Sequence, residues 1–173
     1  KHMLVENNTI SYNNIEHFAL TWDGAGAKFV TASDLVARNN LIESNYATGL
    51  WLDVSSTNAM IVNNTSRGNA GIGIFFEISH RALIAGNVAY NNNVGIMLSN
   101  SSSSRVYNNT LVNNSANFVV KDTQRNNTNA AEIAAGITWI ARNNVFENNI
   151  LSNARGSTLF DASNCDTKEP SAL

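Results

Sequence analysis

Cysteine occurs once in the 173 residues, at Cys165, so no disulfide can form within the chain and the redox compartment stays undetermined. Proline also occurs once. There is no run of basic residues: 11 Lys and Arg stand against 13 Asp and Glu, for a net charge of −2. A nearly neutral chain without a basic stripe lacks the electrostatic footprint of a nucleic-acid binder. No apolar run approaches the roughly 18 residues of a membrane span, and no signal peptide opens the chain. Nucleic acid and membrane are therefore not expected as partners. Lys1-His2-Met3 reads like the remnant of an expression tag, so the missing leader carries little weight.

Asparagine, by contrast, is present 30 times. It tolerates the left-handed backbone and bonds locally to the main chain, which suits tight corners and argues against a helical bundle. The residues also recur. Gly49-Leu50-Trp51-Leu52-Asp53 returns 24 residues later as Gly73-Ile74-Phe75-Phe76-Glu77, and the same shift carries Asn40 onto Asn64 and Asn45 onto Asn69. Recurrence at a period of 20 to 50 residues marks a solenoid, whose units bury their apolar face only against neighbouring copies.

With asparagine as the register mark, six rungs follow, marked by Asn8, Asn40, Asn64, Asn87, Asn109 and Asn144 at spacings of 32, 24, 23, 22 and 35. Five residues after each stands a second asparagine: Asn13, Asn45, Asn69, Asn92, Asn114 and Asn149. Apolar residues keep the same register, with Val5, Ala37, Ile61, Ile84, Val106 and Ala141 three before the mark. Two after it come Ile10, Ile42, Ser66, Ala89, Leu111 and Phe146. This period-two alternation predicts short strands, and stacking at about 4.8 Å predicts parallel sheets wound into a tube with asparagine ladders. The expected fold is all-β, a solenoid of about six rungs that forms a single domain over residues 1–173.

The two long spacings predict insertions near Thr21 to Ala32 and between Lys121 and Gly136, the latter with a short helix over Ala130 to Ala135. Neither end carries a cap, so the chain is expected to be a fragment of a longer protein or to associate end to end through its uncapped rungs.

On the strand after the second asparagine, alternation directs one column outward as Trp51, Phe75, Met97 and Val119, preceded by Ala19. A second column reads Asp53, Glu77, Ser99 and Lys121, preceded by Thr21. Leu50, Leu52, Ile74, Phe76, Ile96, Leu98, Phe118 and Val120 point inward. Exposed aromatics beside carboxylates and a lysine are what a sugar-binding face needs. Trp51, Phe75, Met97 and Arg81 are the candidate substrate contacts. Asp53 and Glu77, on adjacent rungs, would share a proton or hold a calcium ion between them. As catalytic groups they suit either a lyase or epimerase, with Lys121, His80 or Arg81 moving the proton, or a retaining glycosidase. The competing reading leaves the carboxylates solvated and packs Trp51 and Phe75 under an inserted loop. Gly24-Ala25-Gly26-Ala27-Lys28 lacks the spacing of a phosphate loop. Asp23 and Lys28 belong to the first insertion, as loop residues or folded over the groove. His17 reads as a polar turn residue.

Asn39-Asn40, GLWLD, Asn63-Asn64, GIFFEIS, ALIAGN and GIMLSNS together resemble the right-handed parallel β-helix repeat proteins of the pectate-lyase-like superfamily, over roughly Leu4 to Asp161. That resemblance implies a secreted or cell-surface bacterial protein with a polysaccharide partner. The superfamily includes polysaccharide lyases, mannuronan epimerases, glycoside hydrolases, tailspikes and noncatalytic carbohydrate-binding modules, so recognition or an adhesive structural role stands beside catalysis. A subgroup with a Trp-Asp strand followed one rung later by Glu-Ile-Ser matches at Trp51, Asp53 and Glu77, while Phe76 stands where many relatives carry histidine.

Overall fold

A computed structural model describes residues 2–19 and 22–165. Each rung contributes two short strands and one long one. The first is β1 (Met3–Glu6), β2 (Thr9–Ser11) and β3 (Ala25–Val30); the second is β4 (Leu35–Arg38), β5 (Leu41–Glu43) and β6 (Thr48–Asp53). The third is β7 (Met60–Val62), β8 (Thr65–Arg67) and β9 (Ile72–Glu77), and the fourth β10 (Leu83–Ala85), β11 (Val88–Tyr90) and β12 (Val94–Ser99). The fifth is β13 (Arg105–Tyr107), β14 (Thr110–Val112) and β15 (Ala116–Lys121). Helix α1 (Ala130–Ala134) then precedes the sixth, β16 (Val145–Glu147), β17 (Ile150–Ser152) and β18 (Thr158–Asn164). Equivalent strands pair in parallel, giving three six-stranded sheets: β1-β4-β7-β10-β13-β16, β2-β5-β8-β11-β14-β17 and β3-β6-β9-β12-β15-β18. The all-β solenoid of six rungs read from the spacing is the observed architecture.

The tube is filled from all three walls. Ala37, Ile61, Ile84 and Val106 of the first sheet meet Ile42, Ala89 and Leu111 of the second, and Leu50, Leu52, Ile74, Phe76, Ile96, Leu98, Phe118 and Val120 of the third. Phe76 is fully buried in this core, so its side chain faces away from the outer surface of the sheet.

Asparagine does two jobs at each corner. Asn39, Asn63 and Asn108 adopt positive φ, near 55° in each, and turn the chain between the first and second sheets. The next residue is the ladder member. Asn64, for example, accepts the Asn40 N–H and Nδ2–H through its Oδ1 at 3.0 and 2.9 Å, and its own Nδ2 donates to Asn87 Oδ1 at 3.0 Å. Along this ladder each buried amide finds its partner one rung along.

The ladders correct the sixth rung. The first runs Asn8, Asn40, Asn64, Asn87, Asn109 and then Asn149, not Asn144, because Asn109 Nδ2 donates to Asn149 Oδ1 at 2.9 Å. Val106 accordingly pairs with Phe146 in the first sheet, where Ala141 was expected, and Leu111 with Leu151. The two asparagines of a rung are five residues apart, and so are Asn144 and Asn149, so the spacing admits a slip by one corner. The longer second insertion hides it. Asn144 instead stands at the third corner, its Oδ1 accepting the Ser104 N–H at 2.9 Å. The second ladder ends differently: Asn114 Nδ2 donates to Asn117 Oδ1 at 3.0 Å, three residues on in the same rung.

Asn117 stands in line with Gly95, Gly73 and Gly49, where the third sheet begins. Glycine is needed there because a Cβ on Gly73 would lie 2.7 Å from the Gly95 oxygen and 2.8 Å from Asn92 Nδ2. Gly73→Ala is expected to lower stability by about 2 kcal/mol, the usual scale of overpacking. A urea midpoint unchanged from wild type would contradict it.

The first insertion shifts from its expected position in a way that matters for the site, while the second keeps its place between Lys121 and Gly136 with its short helix. The first lies before β3, not across it, so residues 25–30 are strand. In the third sheet Lys28 pairs with Trp51 and Val30 with Asp53, in place of the expected Ala19 and Thr21. Thr21 itself lies outside the described residues. The second carries α1, capped by Asn129 Oδ1, which accepts the Ala131 and Glu132 N–H groups.

Candidate functional site

The third sheet is the only one built of strands of six or seven residues among the described elements, and its outer face carries the candidate side chains. Asp53 and Glu77 end β6 and β9, one residue beyond the paired Leu52 and Phe76. The pairing therefore brings the two carboxylates to one edge of one face. Both are buried, at 7% and 8% exposure.

The aromatic column points outward but is not open. Trp51, Phe75, Met97 and Val119 form a second apolar cluster outside the tube, with Val94, and partly buried Ala25, Ile72 and Ala116 beside it. Trp51 is 3% exposed and stacks on Phe75 with ring centroids 5.2 Å apart. Of the two readings of the aromatic column, open to a sugar or packed under cover, the structure shows the covered one, and the carboxylates are buried instead of solvated. Alternation dictates which side of a strand a residue takes; it does not tell whether loops cover that side.

Lys28 is one cover. Its Nζ lies 3.0 Å from Asp53 Oδ2, 3.6 Å from the centroid of the Trp51 ring, and donates to the Trp22 carbonyl at 2.6 Å. Ion pair, cation–π contact and hydrogen bond together satisfy a largely buried ammonium. Arg125, from the second insertion, sits over the other carboxylate, Nη2 to Glu77 Oε1 at 3.5 Å. The Trp51 indole N–H is buried and meets no acceptor at hydrogen-bond geometry.

Glu77 holds its proton more tightly than a free glutamate. Burial is the main cause and the Asp53 charge adds to it, while Arg125, Lys28 and the Trp51 indole, which lies near without a formed bond, work the other way.

The remaining candidates are dispersed. Lys121 ends β15, two strands beyond Glu77 in the sheet order. His80 lies in another column, bridging Thr57 and Ser102 in parallel, with Nδ1 2.8 Å from Ser102 Oγ. Burial, Arg81 and Arg142 lower its pKa. Arg81 follows at the corner with φ of 60°. Neither His80 nor Arg81 is among the groups that set the proton affinity of Glu77.

An open cleft of about 990 Å³ lies between the end of β15, the second insertion and β18. Lys121, Arg125 and Trp139 face it together with Thr123, Gln124 and Asn126. Asn100 builds it. The buried Asn100 side chain donates to the carbonyls of Thr123 and Trp139 at 2.9 and 2.8 Å and accepts from the Thr123 N–H and hydroxyl, pinning both limbs of the loop. Glu132 of α1 accepts the Trp139 indole N–H at 3.1 Å and fixes its ring. Arg125, Asn100 and Trp139 were not singled out by the sequence; Lys28 was, as a residue that could fold over the groove, and its Nζ lies against Asp53 and the Trp51 ring. The second long spacing points to the segment that carries Arg125 and Trp139; nothing in the repeat marks which of its side chains turn inward.

Among the described residues no group of three or more His, Cys, Asp or Glu is placed to hold a metal ion. Calcium takes about six to eight oxygens. Two carboxylates already facing an ammonium and a guanidinium do not suit it.

A family model described as "right handed beta helix region" matches residues 1–114, about two thirds of the chain. Comparison with curated proteins and with solved structures gave no match.

Proposed function

The chain belongs to the right-handed β-helix family, and from that premise we propose that it recognises a polysaccharide bearing carboxylate groups, held in the cleft between β15, the second insertion and β18. A fold of this kind carries many activities, so the reading rests on the site. The observation that carries it is the lining: Lys121 and Arg125 for the sugar carboxylates, Trp139 for the apolar face of a pyranose, and the amides and hydroxyls of Thr123, Gln124 and Asn126 for its hydroxyls. Asp53 and Glu77 serve this site from beneath. Glu77 holds Arg125 at the rim, and Asp53 holds Lys28 over the aromatic cluster.

Calorimetric titration with oligouronates and with neutral oligosaccharides of the same length tests the reading. Wild type is expected to take the oligouronate in a salt-sensitive manner, and Arg125→Ala to weaken it by about tenfold, the scale of one charge-assisted pair. Failure to bind any uronate, or affinity unchanged in a Lys121→Ala/Arg125→Ala variant, overturns it.

One observation favours a second, catalytic reading. Glu77, which holds its proton more tightly than a free glutamate and stands beside Asp53, resembles the pairs of carboxyl groups with unlike proton affinities used in lyase, epimerase and retaining glycosidase chemistry. That reading requires the glycan to reach two carboxylates now under Lys28 and Arg125. Release of unsaturated or reducing ends by wild type, abolished in Glu77→Gln, would select it.

A further inference from the structure

The loop between β2 and β3 exposes more aromatic surface than any core argument explains. Tyr12 is 65% exposed, Phe18 68% and Trp22 74%, in a chain that buries Trp51, Phe75, Phe76 and Phe118. The main chain is anchored beside Phe18 and at Trp22. Asn14 Oδ1 accepts the Phe18 N–H at 2.9 Å, Asn14 Nδ2 donates to the Phe18 and Tyr46 carbonyls at 3.1 Å, and the Trp22 carbonyl holds Lys28 Nζ. Anchored main chain with outward rings is a preorganised platform, because little ordering remains to be done on binding. Phe18 and Trp22 line an open hollow of about 700 Å³, with Asn13, Glu16 and Asp23 on the same walls.

Charge selects among occupants. Glu16 and Asp23 are both exposed, and the hollow has no Lys or Arg among its lining residues; Lys28 is committed to Asp53 and Trp51. A polyuronate suited to Lys121 and Arg125 would be repelled here.

We infer that Phe18 and Trp22, with Glu16 and Asp23, form a second carbohydrate site that takes a sugar bearing a protonated amine. The rings cover the apolar faces of the pyranoses, and the two carboxylates accept hydrogen bonds from the ammonium groups. The hollow is of the size of small-ligand sites, which span about 300 to 1,000 Å³. The site stands on residues separate from the cleft beside β15, so the two readings fail independently.

The probe is a glucosamine hexamer at mildly acidic pH, followed by tryptophan fluorescence of the whole chain. A saturable spectral shift is expected, absent in Trp22→Ala, a substitution that keeps the fold because the side chain is mostly exposed. Glu16→Gln/Asp23→Asn is expected to lower affinity by about tenfold and to flatten its dependence on salt, while Arg125→Ala leaves it unchanged. The N-acetylated hexamer, which carries no charge, is expected to bind about tenfold more weakly than the amine form. Equal affinity for the two hexamers, tighter binding of an oligolysine of equal charge, or a spectral shift on concentrating the protein alone would each overturn the inference.

Discussion

Asn87→Ala is expected to lower the free energy of unfolding by about 4 kcal/mol, one of the largest single effects available in this chain. Asn87 is fully buried. Its Oδ1 accepts the Asn64 N–H and Nδ2–H at 2.9 and 3.0 Å, and its Nδ2 donates to the Ile61 carbonyl at 2.8 Å and to Asn109 Oδ1 at 3.0 Å. Truncation strands the Asn64 N–H and takes the Asn87 amide from the Ile61 carbonyl, while Asn64 Nδ2 keeps the Ala37 carbonyl and Asn109 Oδ1 keeps the Asn87 N–H; each buried unsatisfied group costs about 1 to 3 kcal/mol. Water entering the space left by the amide recovers part of that sum. Asn91→Ala is the control. Asn91 is exposed and serves the corner with φ of 58°, and its Oδ1 accepts only a solvent-exposed bond from Asn113 Nδ2, so its loss is mainly the left-handed backbone penalty of about 1 to 2 kcal/mol. Urea unfolding gives the totals, and hydrogen exchange at the Asn64 amide locates the effect. Equal losses from the two substitutions would mean that the ladder adds nothing beyond the corner.

The same two roles explain how much of the molecule the sequence discloses. A solenoid repeats each physical requirement at every rung, so Asn64, Asn87 and Asn109 announce one buried column, and the inward position of Leu52, Phe76 and Leu98 follows from alternation. Where the repeat offers two equivalent marks, it cannot say which is which. Asn144 and Asn149 have the spacing of any other rung, and only the bond from Asn109 assigns the ladder to Asn149. The site was legible in its scaffold half alone. Asp53 beside Glu77 is a consequence of register. The cover that Arg125 gives Glu77 comes from a loop that obeys no repeat; Lys28 lies on β3 in register with Trp51, and that register was missed because the first insertion precedes β3 instead of interrupting it.

Removing the Asp53 charge tests that covered pair most directly. Asp53→Asn is expected to destabilise the chain by about 2 kcal/mol at neutral pH. Breaking a buried ion pair by deleting one partner costs about 3 to 5 kcal/mol, since the other charge remains buried. Here Lys28 keeps the Trp22 carbonyl and the Trp51 ring, and Glu77 loses a repulsive neighbour, so the net cost falls below that range. Lys28→Met/Asp53→Leu, which removes both charges and leaves apolar bulk against Trp51, is expected to recover most of the loss. The pH dependence follows from Glu77. Its folded-state proton affinity exceeds that of the unfolded chain, so its contribution to stability is complete below the ordinary glutamate pKa of about 4.3 and is lost as pH rises through the folded value. In Asp53→Asn the coulombic cause is gone while burial remains, which moves that loss to lower pH; in Glu77→Gln it vanishes. Carbon-detected NMR titration of the glutamate carboxyls and urea midpoints across pH measure both. Should Glu77 titrate unchanged after Asp53→Asn, the two carboxylates do not sense each other, and neither their role in holding Lys28 and Arg125 nor the acid pairing of the catalytic reading would stand.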